Sequence, residues 1–460
     1  MNVPAPVSGT AKLRRRLAAC RDRAVPWLLR AIGYSDGRYA VPGGTVNEQV
    51  AHYQQKQAAL HQEISIRDAE LFWHRHPGFM HYPVGISVAP PCILPPNELS
   101  PRTRRAAERI TEAWHRSKSD AQQAAPSLWD TAMYRYYAEF ILALELRQVH
   151  KVEETLNAMF RSTVSWGTAR MHWSWPEQML ADPHSHYCLT KCSDVLYSLG
   201  EAVGVKVMPS IEQHGGWGGF CNTLKVDLSA LVHAIEQTAG LDLSFPSCGG
   251  PMGVNINEKL LTIDSILHSY SVYRMRELGA QDGDRIVEIG GGYGCMAYLM
   301  YRAGFRDLEI IDLPWQNAIQ GFFLMNSLPE DAVCLYGETG AGSVKVMPPW
   351  AFARHVDRSV DYVINVNSMP EIGLDDARDY VRTIGRVVRK TFVSMNHESG
   401  QANLGVGPRG PVHKLAEMGR LRRVSRGIWW MEQGYVEELY QPLDAVSQAG
   451  TPGAPILRAA

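Results

Sequence analysis

The chain has 460 residues, 45% of them hydrophobic and 20% charged, and a formal net charge of −1. That length exceeds what one small core can organise, and that composition excludes a mostly disordered chain. The near-zero charge provides no basic field for nucleic acid or for an anionic membrane surface.

Eight cysteines without regular spacing fit reduced thiols in a cytoplasmic protein better than a disulfide frame. The first residues carry basic side chains but no uninterrupted apolar segment of the kind a signal peptide needs. Leu13 to Leu29 has the spacing of a basic amphipathic helix. The longest uncharged stretch, Gly78 to Asn97, is broken by prolines and cannot cross a membrane as a regular helix. Helical spacing from Leu128 to Phe160 predicts a long helix in a mostly α-helical N-terminal half. "SFPSCGGPMG", from Ser244 to Gly253, reads as a hinge or loop between units. The expected organisation is an N-terminal helical region over 1–125, a helical middle region over 126–253 for acceptor binding or dimerisation, and a third domain over 254–460.

In that third domain the pattern changes. Leu260 to Leu278, Met296 to Ala303 and Asp375 to Arg389 read as helices. They alternate with the strand-like "RIVEIG", "LEIIDL", "DAVCLYG", "VDYVINVN" and "TFVSMNH". Such alternation predicts an α/β fold with a parallel sheet covered on both faces.

The first of these strands runs into "GGGYG". In an open parallel sheet the ligand sits at the carboxyl ends of the strands, where the first strand turns into its helix. Gly290, Gly291, Gly292 and Gly294 occupy that turn, with Tyr293 among them. Glycine permits positive φ and a close approach to the main chain. The spacing departs from the G-x-G-x-x-G of nicotinamide sites, although Gly291 and Gly294 satisfy a shorter G-x-x-G. Glu288 ends the strand two residues before Gly290. A carboxylate there repels a pyrophosphate and suits an ammonium group, which S-adenosylmethionine has. Asp312, at the end of the next strand, stands where an acid accepts hydrogen bonds from ribose hydroxyls. The bland alternative is that both acids cap helices.

"VEIGGGYGCMAYLM", "IIDLP", "VINVNSMPEIG", "TFVSMNHES" and "GYVEELY" together resemble the sugar O-methyltransferase family of bacterial polysaccharide and natural-product pathways, over roughly Ser244 to Tyr440. The resemblance implies a Rossmann-like seven-stranded class I methyltransferase domain that uses S-adenosylmethionine, yields S-adenosylhomocysteine and has a sugar hydroxyl as acceptor. The cofactor residues expected are Glu288, Gly290, Gly291, Gly292, Tyr293, Gly294, Asp312, Leu313, Asn365 and Asn367.

Methylation of a hydroxyl needs alignment of acceptor and methyl group, and a base for the proton. His397 in "SMNHES" is the first candidate and Glu371 in "NVNSMPEIG" the second, each beyond a strand end. Asn396, Glu398, Trp217 and His214 are expected at the acceptor, the last two in the glycine-rich "EQHGGWGGF". A tryptophan face suits the apolar side of a sugar ring. Arg423, in a cluster with Arg420, Arg422 and Arg426, is expected to meet a phosphate on a nucleotide-sugar. The segment after Glu398 is long enough to be a lid. No metal site is predicted: His184, His186, Cys188 and Cys192 are competent zinc ligands at a spacing that matches no zinc pattern. A divalent ion holding vicinal hydroxyls is left open.

The sequence thus predicts a cytoplasmic enzyme with a small sugar or glycosylated acceptor, no nucleic-acid partner and no membrane span, its helical half a candidate homodimer interface. The alternatives are methylation at nitrogen or carbon, and a non-catalytic assembly or regulatory module on the same fold.

Overall fold

The computed structural model describes residues 87–119, 136–171, 183–205, 226–398 and 410–443, with the side chains of 183–188 left aside. The expectations for Leu13 to Leu29, for His214 and Trp217, for the lid after Glu398 and for the side chains of His184, His186 and Cys188 lie outside the described residues. All described residues belong to one compact unit within 66–460.

Its centre is an eight-stranded sheet. β4 (Arg285–Ile289), β5 (Asp307–Ile311), β6 (Val333–Leu335), β7 (Val344–Met347), β8 (Val360–Val366), β9 (Val388–His397), β10 (Leu421–Ile428) and β11 (Tyr435–Pro442) take the order β10-β11-β9-β8-β4-β5-β7-β6. Every pair is parallel except those of β11, which runs antiparallel to β9 and to β10. The strand order reverses at β4, so the β4 turn opens at the switch point, where an open α/β sheet leaves a crevice. Seven strands were expected. The eighth is the short edge strand β6, which pairs only with β7.

Burial explains the strand sequences. All seven residues of β8 are buried, as a central strand covered on both faces requires. β10 is exposed at seven of its eight positions and carries Arg422, Arg423 and Arg426, a charged edge that discourages pairing with another chain. On one face of the sheet, Val287, Ile289 and Val363 pack against α9 (Leu374–Val387). On the other, Ile286 and Leu308 pack with α6 (Ile263–Glu277), α7 (Cys295–Arg302) and α8 (Pro314–Ser327). Glu288 alternates with Val287 and Ile289, so it points toward this second face.

The N-terminal helices share that second core. α1 (Pro101–Ser119), α2 (Ala138–Glu145), α3 (Val149–Asn157), α4 (Pro183–Ala202) and α5 (Leu228–Ala239) contribute to the cluster that also holds Met296, Phe322 and Val393. α1 is fastened to α8 by charge. Arg102 donates to the carbonyls of Met325 and Leu328 at the end of α8, and Arg109 forks onto Glu338 at 2.8 and 2.7 Å. Guanidinium groups at a helix C-terminus satisfy orphan carbonyls and favour its dipole.

One expectation about this region changes. The predicted long helix is broken at residues 146–148. Arg147 takes a φ of 52°, Gln148 N–H bonds to Ala143 O and Arg147 N–H to Leu144 O, a Schellman closure formed without glycine. Ser244 to Gly253, expected as a hinge or loop, is a packed loop. Phe245 and Cys248 are buried, and a Cβ on Gly249 would stand 2.6 Å from the Met159 side chain. β1 (Pro91–Ile93), β2 (Met252–Ile256) and β3 (Lys259–Leu261) form a small antiparallel sheet, and residues on both sides of position 253 lie in one core.

Candidate functional site

Three glycines of the turn adopt left-handed conformations: Gly290 at φ 73°, Gly292 at 54° and Gly294 at 97°. The protein itself fills the space that side chains would need. A Cβ on Gly290 would stand 2.1 Å from Ser368 Oγ, and one on Gly291 would stand 2.6 Å from Ile310 Cγ2. The Gly292 carbonyl accepts from the side-chain amides of Gln316 and Gln320. Glycine here permits a tight crossing of β4, β8 and the segment before the sheet, with Gly290 N–H on Ile311 O and Gly294 N–H on Gly291 O, each at 2.9 Å.

The two acids sit at adjacent strand ends. Glu288 is buried beneath Gly291, and its Oε2 has no hydrogen-bond partner among the described residues. Burial, and then the charge of Asp312, push its carboxyl up to about 8. Asp312 accepts from Leu313 N–H and from the Gln320 amide, each at 2.8 Å. It keeps part of its surface open, yet the protein surrounds it closely enough that burial pushes it up to about 7. Leu313 packs its side chain against the core. No arginine or lysine among the described residues pairs with either acid.

Other buried oxygens near them also lack donors. Gln316 Oε1 and Gln320 Oε1 have no partner. Their orientation is chemically fixed, because each amide nitrogen faces the Gly292 carbonyl, and only a nitrogen can donate to it. Asn367, left-handed at φ 59°, and Asn396 each hold a buried Oδ1 without a partner. Buried polar groups are almost always satisfied in a folded protein. Five acceptor oxygens without donors, gathered at the carboxyl ends of β4, β5, β8 and β9, describe a site for a ligand that brings N–H, O–H or positive charge. This complement does not fit a pyrophosphate.

Asn365 and Tyr293 depart from expectation. Asn365 is fully buried, with its amide on Ile289 O at 2.8 Å and its Oδ1 taken by Asn396 and by Met369 N–H. It ties β4, β8 and β9 together and offers no atom to a ligand. The Tyr293 side chain turns into the core, edge-on to Phe160 and Phe323, with its hydroxyl on Asp264 at 3.3 Å. Only its backbone belongs to the turn.

His397 ends β9, and its ring meets the edge of Tyr435 at 5.5 Å. Glu371 lies in the one-turn helix after β8, near enough to Tyr435 that burial, then Glu432 and Glu371, push that phenol up to about 12. Both candidate bases therefore stand at the same end of the sheet as the acids. Arg170, Asp264 and Glu432 line the same end, and nothing in the sequence singled them out. Their partners lie up to 262 positions away in the chain.

Glu398 and Arg423 belong elsewhere. Arg426 forks onto Glu398 at 2.7 and 2.6 Å, and Arg423 and Arg426 both donate to the buried Glu438 at 2.8 and 2.9 Å. His413 Nδ1 lies 2.8 Å from Glu398, in ion-pair distance without hydrogen-bond geometry. Glu398, His413 and Glu438 could by distance hold a metal ion. Two guanidinium groups already balance the two carboxylates, so the cluster is complete as it stands. The arginines thus answer acids within the protein, contrary to the phosphate role expected of Arg423.

No protein-family model matches the chain, and no curated protein matches it. Solved structures do show likeness. A protein from Pyrococcus horikoshii OT3 shares 13% identity over 41% of this chain and 92% of its own, with a TM-score of 0.31. A glycopeptide N-methyltransferase complexed with sinefungin shares 10% over 38% and 86%, at 0.30. The magnesium protoporphyrin IX methyltransferase of Synechocystis PCC 6803, with bound S-adenosylmethionine, shares 12% over 38% and 77%, at 0.29. Likenesses this weak carry no functional argument beside the sheet order and the residues of the turn. No described helix is long and apolar enough to cross a membrane.

Proposed function

We propose that the chain is an S-adenosylmethionine-dependent methyltransferase acting on a hydroxyl of a sugar or glycosylated small molecule. The observation that carries the cofactor is the set of buried acceptor oxygens without donors, led by Glu288 Oε2 beside Asp312. An ammonium group and ribose hydroxyls supply what that set lacks. When bound, the cofactor provides a methyl group on a sulfonium, ready for in-line transfer. Glu288 and the N–H groups of Gly292 and Tyr293 hold its amino-acid portion. Asp312, steadied by Gln320 and Leu313, accepts from the ribose.

The acceptor stands against the ends of β8 and β9, where Asn367 and Asn396 accept from its hydroxyls. His397 takes the proton of the reacting hydroxyl as the oxygen gains the methyl group, and Glu371 is the second candidate for that role. The internal pairing of Arg423 and Arg426 favours an uncharged saccharide over a nucleotide-sugar.

Calorimetric titration with S-adenosylhomocysteine, beside NAD+ as control, tests the cofactor. Saturable one-to-one binding of the first alone is expected, and a folded protein that binds neither would sink the proposal. Product mass spectra with hydroxyl, amine and carbon acceptors then decide among O-, N- and C-methylation.

A further inference from the structure

Residues 162–170 precede the parallel sheet in the chain and lie against its glycine turn. The Thr168 carbonyl oxygen stands 3.3 Å from where a Cβ on Gly292 would be. The segment is held from behind at Trp166, whose carbonyl accepts from the Tyr137 hydroxyl and whose ring stacks on Tyr136 at 4.3 Å. Tyr137 in turn packs on Trp315, in the first turn of α8, at 4.3 Å.

The other end is held by charge. Arg170 forks onto Glu432 at 3.1 and 2.6 Å, its Nε lies 3.7 Å from Asp264 Oδ1, and its backbone N–H donates to Asp264 Oδ2 at 3.2 Å. Asp264 opens α6 and accepts from Tyr293, a residue of the glycine turn. Glu432 sits in the 429–435 turn that joins β10 to β11, three residues before Tyr435 and its contact with His397. One guanidinium thus joins the covering segment, the cofactor turn and the acceptor end of the sheet.

We propose that Arg170 is a positioning residue that latches residues 162–170 across the glycine turn, so that bound cofactor is enclosed and its release requires the Arg170–Glu432 pair to open. This rests on the S-adenosylmethionine reading. A planar fork onto a carboxylate fixes direction as well as distance. The pair keeps 31% and 20% of its side-chain surfaces exposed, so water can replace the partners when it breaks.

Stopped-flow fluorescence tests the latch, with Trp166 and Trp315 as reporters and S-adenosylhomocysteine as probe. Glu432→Gln and Arg170→Lys should each release the probe about tenfold faster with undiminished association rate. The double variant Arg170→Ala/Glu432→Ala should release it no faster than the faster of its two single variants. A purely structural role would lower the melting temperature and leave the dissociation rate of the folded fraction unchanged, which would overturn the latch. Asp312→Asn separates the two ideas. If it weakens binding while Glu432→Gln and Arg170→Lys release the probe as wild type does, the latch fails and the cofactor reading stands. If wild type does not bind the probe, both fail.

Discussion

Two groups of carboxylates in this protein have opposite surroundings. Glu438 and Glu398 are met by Arg423 and Arg426, and Glu438 also accepts from Tyr440 at 2.7 Å. Glu288 and Asp312 have no cation among the described residues, and burial pushes both carboxyls up toward neutrality. The first group is complete and holds β9, β10 and β11 in register. The second is incomplete within the protein, at the point where the sheet order reverses. Carboxylate count does not separate the two groups. What separates them is whether the protein supplies their counter-charges.

That contrast can be broken experimentally. The largest effect is expected at Asp312→Asn, which should weaken S-adenosylhomocysteine binding about 100-fold, by removing a charged acceptor, without unfolding the chain. Retained affinity in calorimetry would remove Asp312 from the site. Glu438→Ala should do the reverse. Denaturant unfolding should show a loss of about 2 kcal/mol, tempered because Arg423 and Arg426 are partly exposed and can rehydrate, with cofactor affinity unchanged.

A smaller effect follows from pH. The Glu288 carboxyl titrates higher in the folded chain than in the unfolded one, so the folded state binds more protons and loses stability as pH rises toward 8. His268, which burial and Arg170 push down to about 3, acts in the opposite sense but only below its ordinary value near 6.5. Asp312, pushed up to about 7, adds to the loss in the same sense. Between pH 6.5 and 8 the ligand-free protein should therefore lose on the order of 2 kcal/mol, and Glu288→Gln should remove more than half of it. A slope unchanged in the variant would assign it to other groups. The smallest effect is expected from metal: Mn2+ at millimolar concentration should leave the resonance of His413 unbroadened, since its neighbours are already balanced.

Much of the sheet was legible because its strands are continuous apolar runs punctuated by helices, and the glycine turn marks where β4 ends. Glu288 and Asp312 were legible because each occupies a fixed place relative to that turn. Tyr293 was misread for the same reason: position in a motif places the backbone, while the side chain follows whichever cavity lies nearest. Asn365 and Arg423 show a related limit. Each belongs to the expected class of polar residue near a strand end, yet whether its atoms are spent inside the protein depends on partners from other strands. Arg170 and Glu432, Gln316 and Gln320 were not legible, since their roles arise only when distant segments meet.

The fastening of α1 to α8 has a consequence for how the protein is made. Arg102 and the carbonyl it holds on Met325 are 223 positions apart, with β6 to β11 still to follow. At about 5–20 residues per second of synthesis, α1 waits roughly 10–40 s for α8 to emerge. Through that interval Thr103 can already meet Glu153 of α3, while Ile110, which lies against Gly321 of α8 in the finished protein, still lacks its partner. The helical layer is thus translated early and completed late, and a nascent chain halted before α8 would be a client for chaperones rather than an independently folded domain.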